Sequence, residues 1–363
     1  MIKKIQIWTI FIMIGLLFTA CGDDNAYDGK TGLISGTSKA SKEAFASIQK
    51  NVLIPNARKF LSSTQALETS INAVEGNITS ANLLAMQSDF RTVIESWKSV
   101  QTTLVAPDFD ASFKHHVFYI DQFHTGNEDM AKLIDRILLQ QGDMSGLLYK
   151  TTTKGIPALE YLLFANGVEE SAMLTLMNSR RLEAATIAVK NIQEKALEIV
   201  TFYESDTKFA SDAKAASHAL LNVFIDSIYK LKEWRVGDPA GFTVKYKNKP
   251  DATRLEYYRS HNSLEGLKAI LNTHAQVIQS QSYENLSGFS SENGAASEVK
   301  EVQNLLNKSL SIANSFDAPL ASNITEPKVL ELYKSLQELY TAYYESLVNA
   351  LSIKAKIVEA DGD

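Results

Sequence analysis

Apolar residues recur at spacings of three and four over most of the chain, and this repeat constrains the fold more than any other feature. Near the C-terminus, one face of the stretch 326–351 carries Leu332, Leu336, Leu339, Tyr343 and Leu347. This spacing is typical of an amphipathic helix that buries one face in a core. Alternating apolar and polar residues are rare, and the 363 residues include only 17 glycines and 7 prolines. The sequence therefore predicts an all-α fold.

The same periodicity places the other helices and the segments between them. Predicted helices cover residues 41–73, 80–104, 128–139, 178–204, 211–234, 263–281, 295–315 and 326–351. Pro55 lies inside the first helix and should kink or split it, because proline has no N–H to donate. The aromatic segment 106–124 and the small, polar segment 283–297 are predicted to be loops. Asn178 is a suitable cap for a second helical half, so the body divides into predicted halves of about 40–175 and 176–363.

Composition excludes several classes of function. The net charge is -6 and lysine and arginine are scattered, which argues against a nucleic-acid partner. A single cysteine, Cys21, excludes a disulfide within one chain and a zinc site built from cysteines. Neither a Ser-His-Asp or Cys-His arrangement nor a glycine-rich phosphate loop is recognisable.

The N-terminus predicts export and a lipid anchor. Two lysines precede the apolar run 5–18, and small residues follow it. This pattern is typical of a secretory signal. The ending "LFTAC" resembles a bacterial lipobox, which predicts a signal peptide at 1–20, lipidation of Cys21 and a flexible tether at 21–39. The protein would then lie in the bacterial cell envelope on the outer membrane, at its periplasmic face or the cell surface. The alternative is an uncleaved anchor, but the run is shorter than the ~20 residues of a membrane span.

The stretch "KGIPALEYLLFA", residues 154–165, places one carboxylate in an apolar helix. Pro157 suits the first turn of a helix, and Glu160 then lies about three residues in. A carboxylate there is favoured by the helix dipole, which is one interpretation. Apolar residues surround Glu160 almost completely, however, and buried carboxylates gather at functional sites. Glu160 is therefore also a candidate site residue.

Other candidates lie in two later stretches. "WRVGDPAGF" places Arg235 and Asp238 in a predicted turn, where Arg235 could pair with a buried carboxylate such as Glu160. "EYYRSHNSLEGLKAIL" offers Arg259, Ser260 and His261. The competing interpretation of that stretch is a loop with Ser263 as the cap of the next helix.

The other histidines carry weaker predictions. The adjacent pair His115 and His116 is expected to be solvated, since neighbouring side chains diverge. His218 shares a helix face with Asn222 and Asp226; this face could line the groove, but it is expected to lie towards solvent.

Several of these stretches together resemble the imelysin-like family, of the insulin-cleaving membrane protease and iron-regulated protein A type. Its signature is Gly-x-His-x-x-Glu before a similar apolar run. Gly155 and Glu160 match, and Pro157 stands where the family has histidine. The resemblance extends, in order, through "NVLIPNARKF", "FRTVIESWKSVQ" with Trp97, "YIDQFHTGNEDMAKLID" with Asp121, "WRVGDPAGF", "EYYRSHNSLEGLKAIL" and the closing "EADGD".

The resemblance implies both a fold and a function. The implied fold is two four-helix bundles, related by internal duplication, with a groove between the halves. Family members lie in the bacterial envelope, are associated with iron uptake and have in part been described as metallopeptidases. The motif histidine and glutamate are the proposed metal ligands, which makes Glu160 a candidate ligand for iron or another divalent metal.

The proline at the motif position directs the functional prediction. Pro157 has no ligand atom, and a zinc peptidase needs about three protein ligands. The sequence therefore favours a binding protein in iron or iron-ligand uptake, with iron-uptake components as partners, over a metallopeptidase or a surface interaction module. The predicted groove residues are Glu160, Arg235, Arg259, Ser260, His261 and Trp97.

Overall fold

The computed structural model describes residues 39–74, 76–124 and 128–355. Throughout these ranges the chain forms helices and connecting segments and no β-strand, which confirms the all-α prediction. The predicted signal peptide, Cys21 and the closing "EADGD" lie outside the described residues, as does almost all of the predicted tether. Every helix of the described part is too short or too polar to cross a membrane.

The described chain contains a succession of long and short α-helices. In chain order these are α1 (Lys39–Ile48), α2 (Ile54–Asn72), α3 (Ser80–Thr102), α4 (Ala106–Phe109), α5 (His116–Ile120), α6 (Met130–Leu138), α7 (Met144–Leu147), α8 (Ile156–Phe164), α9 (Glu170–Leu176), α10 (Ser179–Ser205), α11 (Lys208–Ser211), α12 (Ala213–Lys230), α13 (Asp238–Ala240), α14 (Ser263–Ile278), α15 (Leu286–Glu292), α16 (Ala296–Asn314), α17 (Leu320–Asn323), α18 (Pro327–Thr341) and α19 (Val348–Ala350). Short 3-10 turns occur at Ala111–His115, Thr151–Thr153 and Ala252–Arg254.

Some consecutive α-helices are joined by wider, π-helical turns. These turns cover Gln49–Leu53, Leu231–Gly237 and Ala342–Leu347. The first of them lies just before Pro55, which occupies the first turn of α2. The interruption predicted near Pro55 therefore takes the form of a π-helical turn, since a proline cannot donate to the carbonyl of the preceding turn.

The long helices pack in two groups that share one continuous hydrophobic core. In the first group α2 packs against α3 and α10, and α10 packs against α8. In the second group α16 packs between α14 and α18, and α12 packs on α18. Helix α14 also packs on α3, which connects the two groups. Although α10 opens the predicted second half, it packs with helices of the first group; internal duplication stays a prediction.

Three predicted non-helical segments are wrong in part, because short helices form there. The predicted loop 106–124 contains α4, a 3-10 turn and α5, and the predicted loop 283–297 contains α15. Tertiary contacts explain the helices in these two loops, since α5 packs on α10 and α15 packs on α1 and α16. The predicted turn in "WRVGDPAGF" is a π-helical turn that continues into α13, and Gly241 ends it with a left-handed φ of 73°.

Candidate functional site

Helix α8 holds Glu160 inside the protein. Pro157 lies in the first turn of this helix, as the sequence predicts, and Gly155 is the N-cap residue. A Cβ atom on Gly155 would lie 2.9 Å from the carbonyl oxygen of Ile120, so only glycine allows this approach. The start of α8 is therefore pressed against the end of α5. One turn further on, Glu160 is only 2% exposed.

Ser260 binds the Glu160 carboxylate with two donors. Its backbone N–H lies 3.0 Å from Oε1 of Glu160 and its hydroxyl lies 2.7 Å from the same oxygen. The guanidinium of Arg259 faces the other oxygen, Oε2, at 3.9 Å. Three residues that the sequence proposes for one site are thus together, although Glu160 and Ser260 are both closed off from solvent.

Burial dominates the acidity of Glu160. Removal of the carboxyl from water raises its pKa to about 7, although the two Ser260 hydrogen bonds and the Arg259 charge act in the opposite direction. The negative charge of Asp121 raises the pKa further. Glu160 therefore exchanges a proton near neutral pH, without direct contact with solvent.

Arg259 is the part of this cluster that approaches the surface. Its side chain is 14% exposed, and its guanidinium carbon lies 4.4 Å from the ring centre of Tyr258 and 5.5 Å from that of Tyr161. Its Nε–H is buried and meets no acceptor among the described residues. Asn262, three positions along the chain, has a buried side-chain amide nitrogen that is likewise without a partner there. The cluster thus contains two unused hydrogen-bond donors.

The loop that carries these residues is built with unusual backbone angles. Tyr257 and His261 adopt positive φ values of 59° and 57°, which non-glycine residues rarely do. Such conformations persist only when surrounding contacts enforce them. Here the Tyr257 hydroxyl donates to Asp121 over 2.7 Å, and the Ser263 hydroxyl donates to the carbonyl of Glu256. The loop is thereby held against the first helical group.

A second, buried charge cluster lies beside this loop. The Lys98 ammonium is 0% exposed and lies 2.9 Å from Oδ2 of Asp121 and 2.7 Å from Oε1 of Glu256. Arg235 makes a two-point contact with Glu256, at 2.6 Å and 3.2 Å. Trp97 donates its indole N–H to Asp121 over 2.9 Å. Two cations thus face two carboxylates in the interior.

Asp121 is the link between the two clusters. Burial alone would raise its pKa, but the charge and hydrogen bond of Lys98, with the Tyr257 hydroxyl, hold the pKa below its ordinary value. Its other oxygen, Oδ1, accepts no hydrogen bond from the described residues. Asp121 therefore remains ionised and is an electrostatic neighbour of Glu160.

The structure separates the remaining proposed groove residues from Glu160. Arg235 pairs with Glu256 instead of Glu160, and Trp97 binds Asp121. His261 belongs to the site loop, but its side chain is exposed. Ser263 is the first residue of α14 rather than its cap, and it uses its hydroxyl on Glu256.

Two expectations about histidines are also corrected. His116 is buried rather than solvated, because it stacks on Phe113 and contacts Glu198 over 2.6 Å; its neighbour His115 stays exposed. His218 is half-buried rather than on a solvent face, and burial lowers its pKa.

His274 is a core histidine without a role in the site. Burial lowers its pKa to about 3, and it contacts the Tyr343 hydroxyl at 3.1 Å.

Sequence reasoning missed Lys98, Glu256 and Tyr257. A signal for Lys98 exists, because it continues the row of Phe90 and Ile94 at steps of four residues and so occupies a core position of α3. A lysine on an apolar face calls for a buried partner. Its partners come from distant segments, so the sequence does not identify them.

The residues at the motif do not fit the metal that the family resemblance implies. Oε1 of Glu160 already accepts two hydrogen bonds, and a guanidinium faces Oε2, which would repel a metal ion. The described residues contain no group of three or more histidine, cysteine, aspartate or glutamate side chains placed to hold a metal. A single carboxylate is a poor site for a transition metal.

Comparison with known proteins identifies relatives of this chain. The family model named Imelysin, of the Peptidase_M75 group, matches residues 53–344. Comparison with curated protein sequences finds no match.

Two solved structures share the fold. An imelysin-like protein from Psychrobacter arcticum 273-4 is 16% identical with a TM-score of 0.65, and the match covers 88% of this chain and 97% of that chain. A structure from Parabacteroides distasonis ATCC 8503, described provisionally as an iron-regulated protein A precursor, is 12% identical with a TM-score of 0.69, over 87% and 96% of the two chains.

Proposed function

This chain belongs to the Imelysin family, and from that premise we propose that it is a binding protein of the bacterial cell envelope. It would bind an anionic, iron-bearing ligand at Arg259, and it would be attached to the outer membrane through a lipid at Cys21. Other components of iron uptake would exchange the ligand with it. The observation that carries the proposal is the Arg259 guanidinium, whose side chain is 14% exposed and whose Nε–H meets no acceptor among the described residues.

The chemistry of Arg259 favours an anion over a bare metal ion. A guanidinium binds carboxylates and phosphates through paired N–H donors, and its plane stacks on aromatic rings. Tyr161 and Tyr258 already hold the plane of Arg259, so little conformational freedom is lost on binding. The amide of Asn262 offers a second donor in the same loop. Iron chelated by carboxylates carries the charge that such donors recognise.

Glu160 is then a positioning residue rather than a ligand. Its carboxylate holds the loop through Ser260 and faces the guanidinium of Arg259. Loss of the motif histidine is compatible with this role, because the role needs no metal. The iron-regulated description of the Parabacteroides distasonis structure, together with the predicted lipobox, supports the envelope and iron parts of the proposal.

Calorimetry on the purified protein tests the proposal, with iron(III) citrate, free citrate, haem, zinc and calcium as probes. We expect iron(III) citrate to bind, and Arg259→Gln to weaken it about tenfold or more, which is the loss of one charge-assisted hydrogen bond. Arg58→Gln is the matched control, because Arg58 is exposed and pairs with Glu204. Tight binding of zinc instead, or binding insensitive to Arg259→Gln, would refute the anion site.

Peptidase activity is the competing function. We expect no cleavage of a denatured protein substrate with or without added zinc, since a working zinc peptidase needs about three protein ligands. Cleavage that depends on metal and disappears in Glu160→Gln would overturn our preference for a binding protein.

A further inference from the structure

Residues 242–255, which we name the basic loop, are the feature that the proposed site does not explain. The loop contains four cations, Lys245, Lys247, Lys249 and Arg254, and one acid, Asp251. The whole chain has a net charge of -6, whereas this loop carries a net positive charge. Its C-terminal end leads directly into Glu256 and the site loop.

Val244 and the three lysines of the basic loop are exposed to solvent, whereas Leu255 at the end of the loop is buried. Val244 is 87% exposed, the most exposed of the large apolar residues described. Lys245, Lys247 and Lys249 are also exposed. The Lys245 ammonium lies 5.6 Å from the ring centre of Tyr246, and its charge lowers the pKa of Asp238. Arg254 forms an ion pair with Asp251 at 3.4 Å. Three exposed lysines thus lie within five residues of the exposed Val244, which we call the tip of the basic loop.

The basic loop is held in this shape by its own contacts. Arg254 stacks on Tyr246 at 4.1 Å and donates to the carbonyl of Lys249 over 2.6 Å. The backbone of Asn248 donates to the carbonyl of Gly241 over 2.9 Å. A Cβ atom on Gly241 would lie 2.8 Å from the backbone nitrogen of Lys249, so glycine is required for this closure. An ordered loop presents its side chains without a further loss of backbone entropy.

We propose that the basic loop docks on the surface of an anionic phospholipid bilayer. Lysine ammonium groups near a surface of lipid phosphates gain electrostatic energy, and an exposed apolar side chain gains by entry among the acyl chains. A soluble polyanion would use the lysines but leave Val244 in water, so the tip favours lipid. The proposal does not depend on the ligand of Arg259.

The expected effect follows from the charge of the loop. Each cation at an anionic bilayer contributes about 1 kcal/mol, which is about fivefold in the partition coefficient. Reversal of two lysines removes both attractions and adds two repulsions, so affinity should fall by at least ~25-fold. Because the attraction is electrostatic, added salt should also weaken it.

A fluorescent label at the tip of the full chain provides a local test. Cys21→Ser removes the only cysteine, and Val244→Cys then places an environment-sensitive dye at the tip. The readouts are the emission shift and quenching by lipid-embedded quenchers. The vesicles consist of phosphatidylcholine alone or of equal parts phosphatidylcholine and phosphatidylglycerol. Because the readout is at residue 244, contact made by the N-terminal segment does not produce it.

We expect a blue shift and quenching with the anionic vesicles only. Both should be lost in Lys245→Glu/Lys247→Glu and kept in the control Lys300→Glu/Lys334→Glu, which reverses two exposed lysines elsewhere. No shift, or an equal shift with neutral vesicles, would refute the proposal. A shift with soluble polyphosphate but no quenching by vesicles would instead assign the loop to a polyanion and overturn the lipid assignment.

Discussion

Replacement of Glu160 by glutamine tests the central electrostatic inference. Glutamine has nearly the same shape, and its side-chain oxygen can accept both hydrogen bonds that Ser260 donates to Oε1 of Glu160. It cannot ionise. The stability of the wild-type protein and that of Glu160→Gln should therefore respond differently to pH, and the difference isolates the titration of this one carboxyl.

The magnitude follows from the pKa of Glu160, which burial raises from 4.5 to about 7. Below the unfolded pKa the folded and unfolded states both carry the proton, and the protein has its full stability. As pH rises through the folded pKa, the unfolded state ionises more readily and stability is lost. A rise of this size corresponds to about 3 kcal/mol. The wild-type free energy of unfolding should fall by about that amount relative to Glu160→Gln.

Urea denaturation followed by circular dichroism measures both proteins across the range from about pH 4 to about pH 8. Titrating groups that do not interact with Glu160 affect the two proteins equally and cancel in the difference, and Asp121 is ionised in both proteins. The new amide beside Arg259 adds an offset that does not change with pH. A difference that stays flat over this range would show that the Glu160 carboxyl has an ordinary pKa. A difference of opposite slope would show that its charged form is the one stabilised by folding.

Two further substitutions test the packing around the site. Lys98→Met should reduce the free energy of unfolding by about 3–5 kcal/mol, because Glu256 and Asp121 would keep buried charges without this cation. Urea titrations measure the loss, and a loss below about 1 kcal/mol would contradict the charge network. Gly155→Ala should destabilise by about 1–3 kcal/mol in thermal unfolding, because its Cβ would lie 2.9 Å from the Ile120 carbonyl oxygen. The control Gly266→Ala makes only ordinary contacts, at 3.5 Å and beyond, and equal losses for both glycines would refute the close-approach argument.

Besides the helical fold, the sequence predicts part of the candidate site. Gly155 and Pro157 indicate the start of α8, and the apolar residues around Glu160 indicate that its carboxylate is buried. Arg259 and Ser260 could be proposed as its neighbours only through the family resemblance. Nothing in their local spacing indicates a contact with a residue about a hundred positions earlier.

The partners of the buried charges are decided by the tertiary structure. Arg235 binds Glu256 instead of Glu160, because the π-helical turn at Leu231–Gly237 places its side chain beside the site loop and Lys98. Positive φ at Tyr257 aims the hydroxyl of this residue at Asp121. These contacts join segments far apart in the chain, so no local pattern contains them.

The sequence alone determines that this protein is all-helical, because apolar spacing is a local property that each helix carries within itself. Its likeness to the Imelysin family rests on the separate motif stretches instead. The sequence also determines that Pro157 stands where the family motif has histidine. Tertiary structure decides that Glu160 is sealed beneath Ser260 and that Arg259 is the group nearest to solvent. Burial and charge pairing depend on which distant segments meet, and that choice minimises the free energy of the whole core.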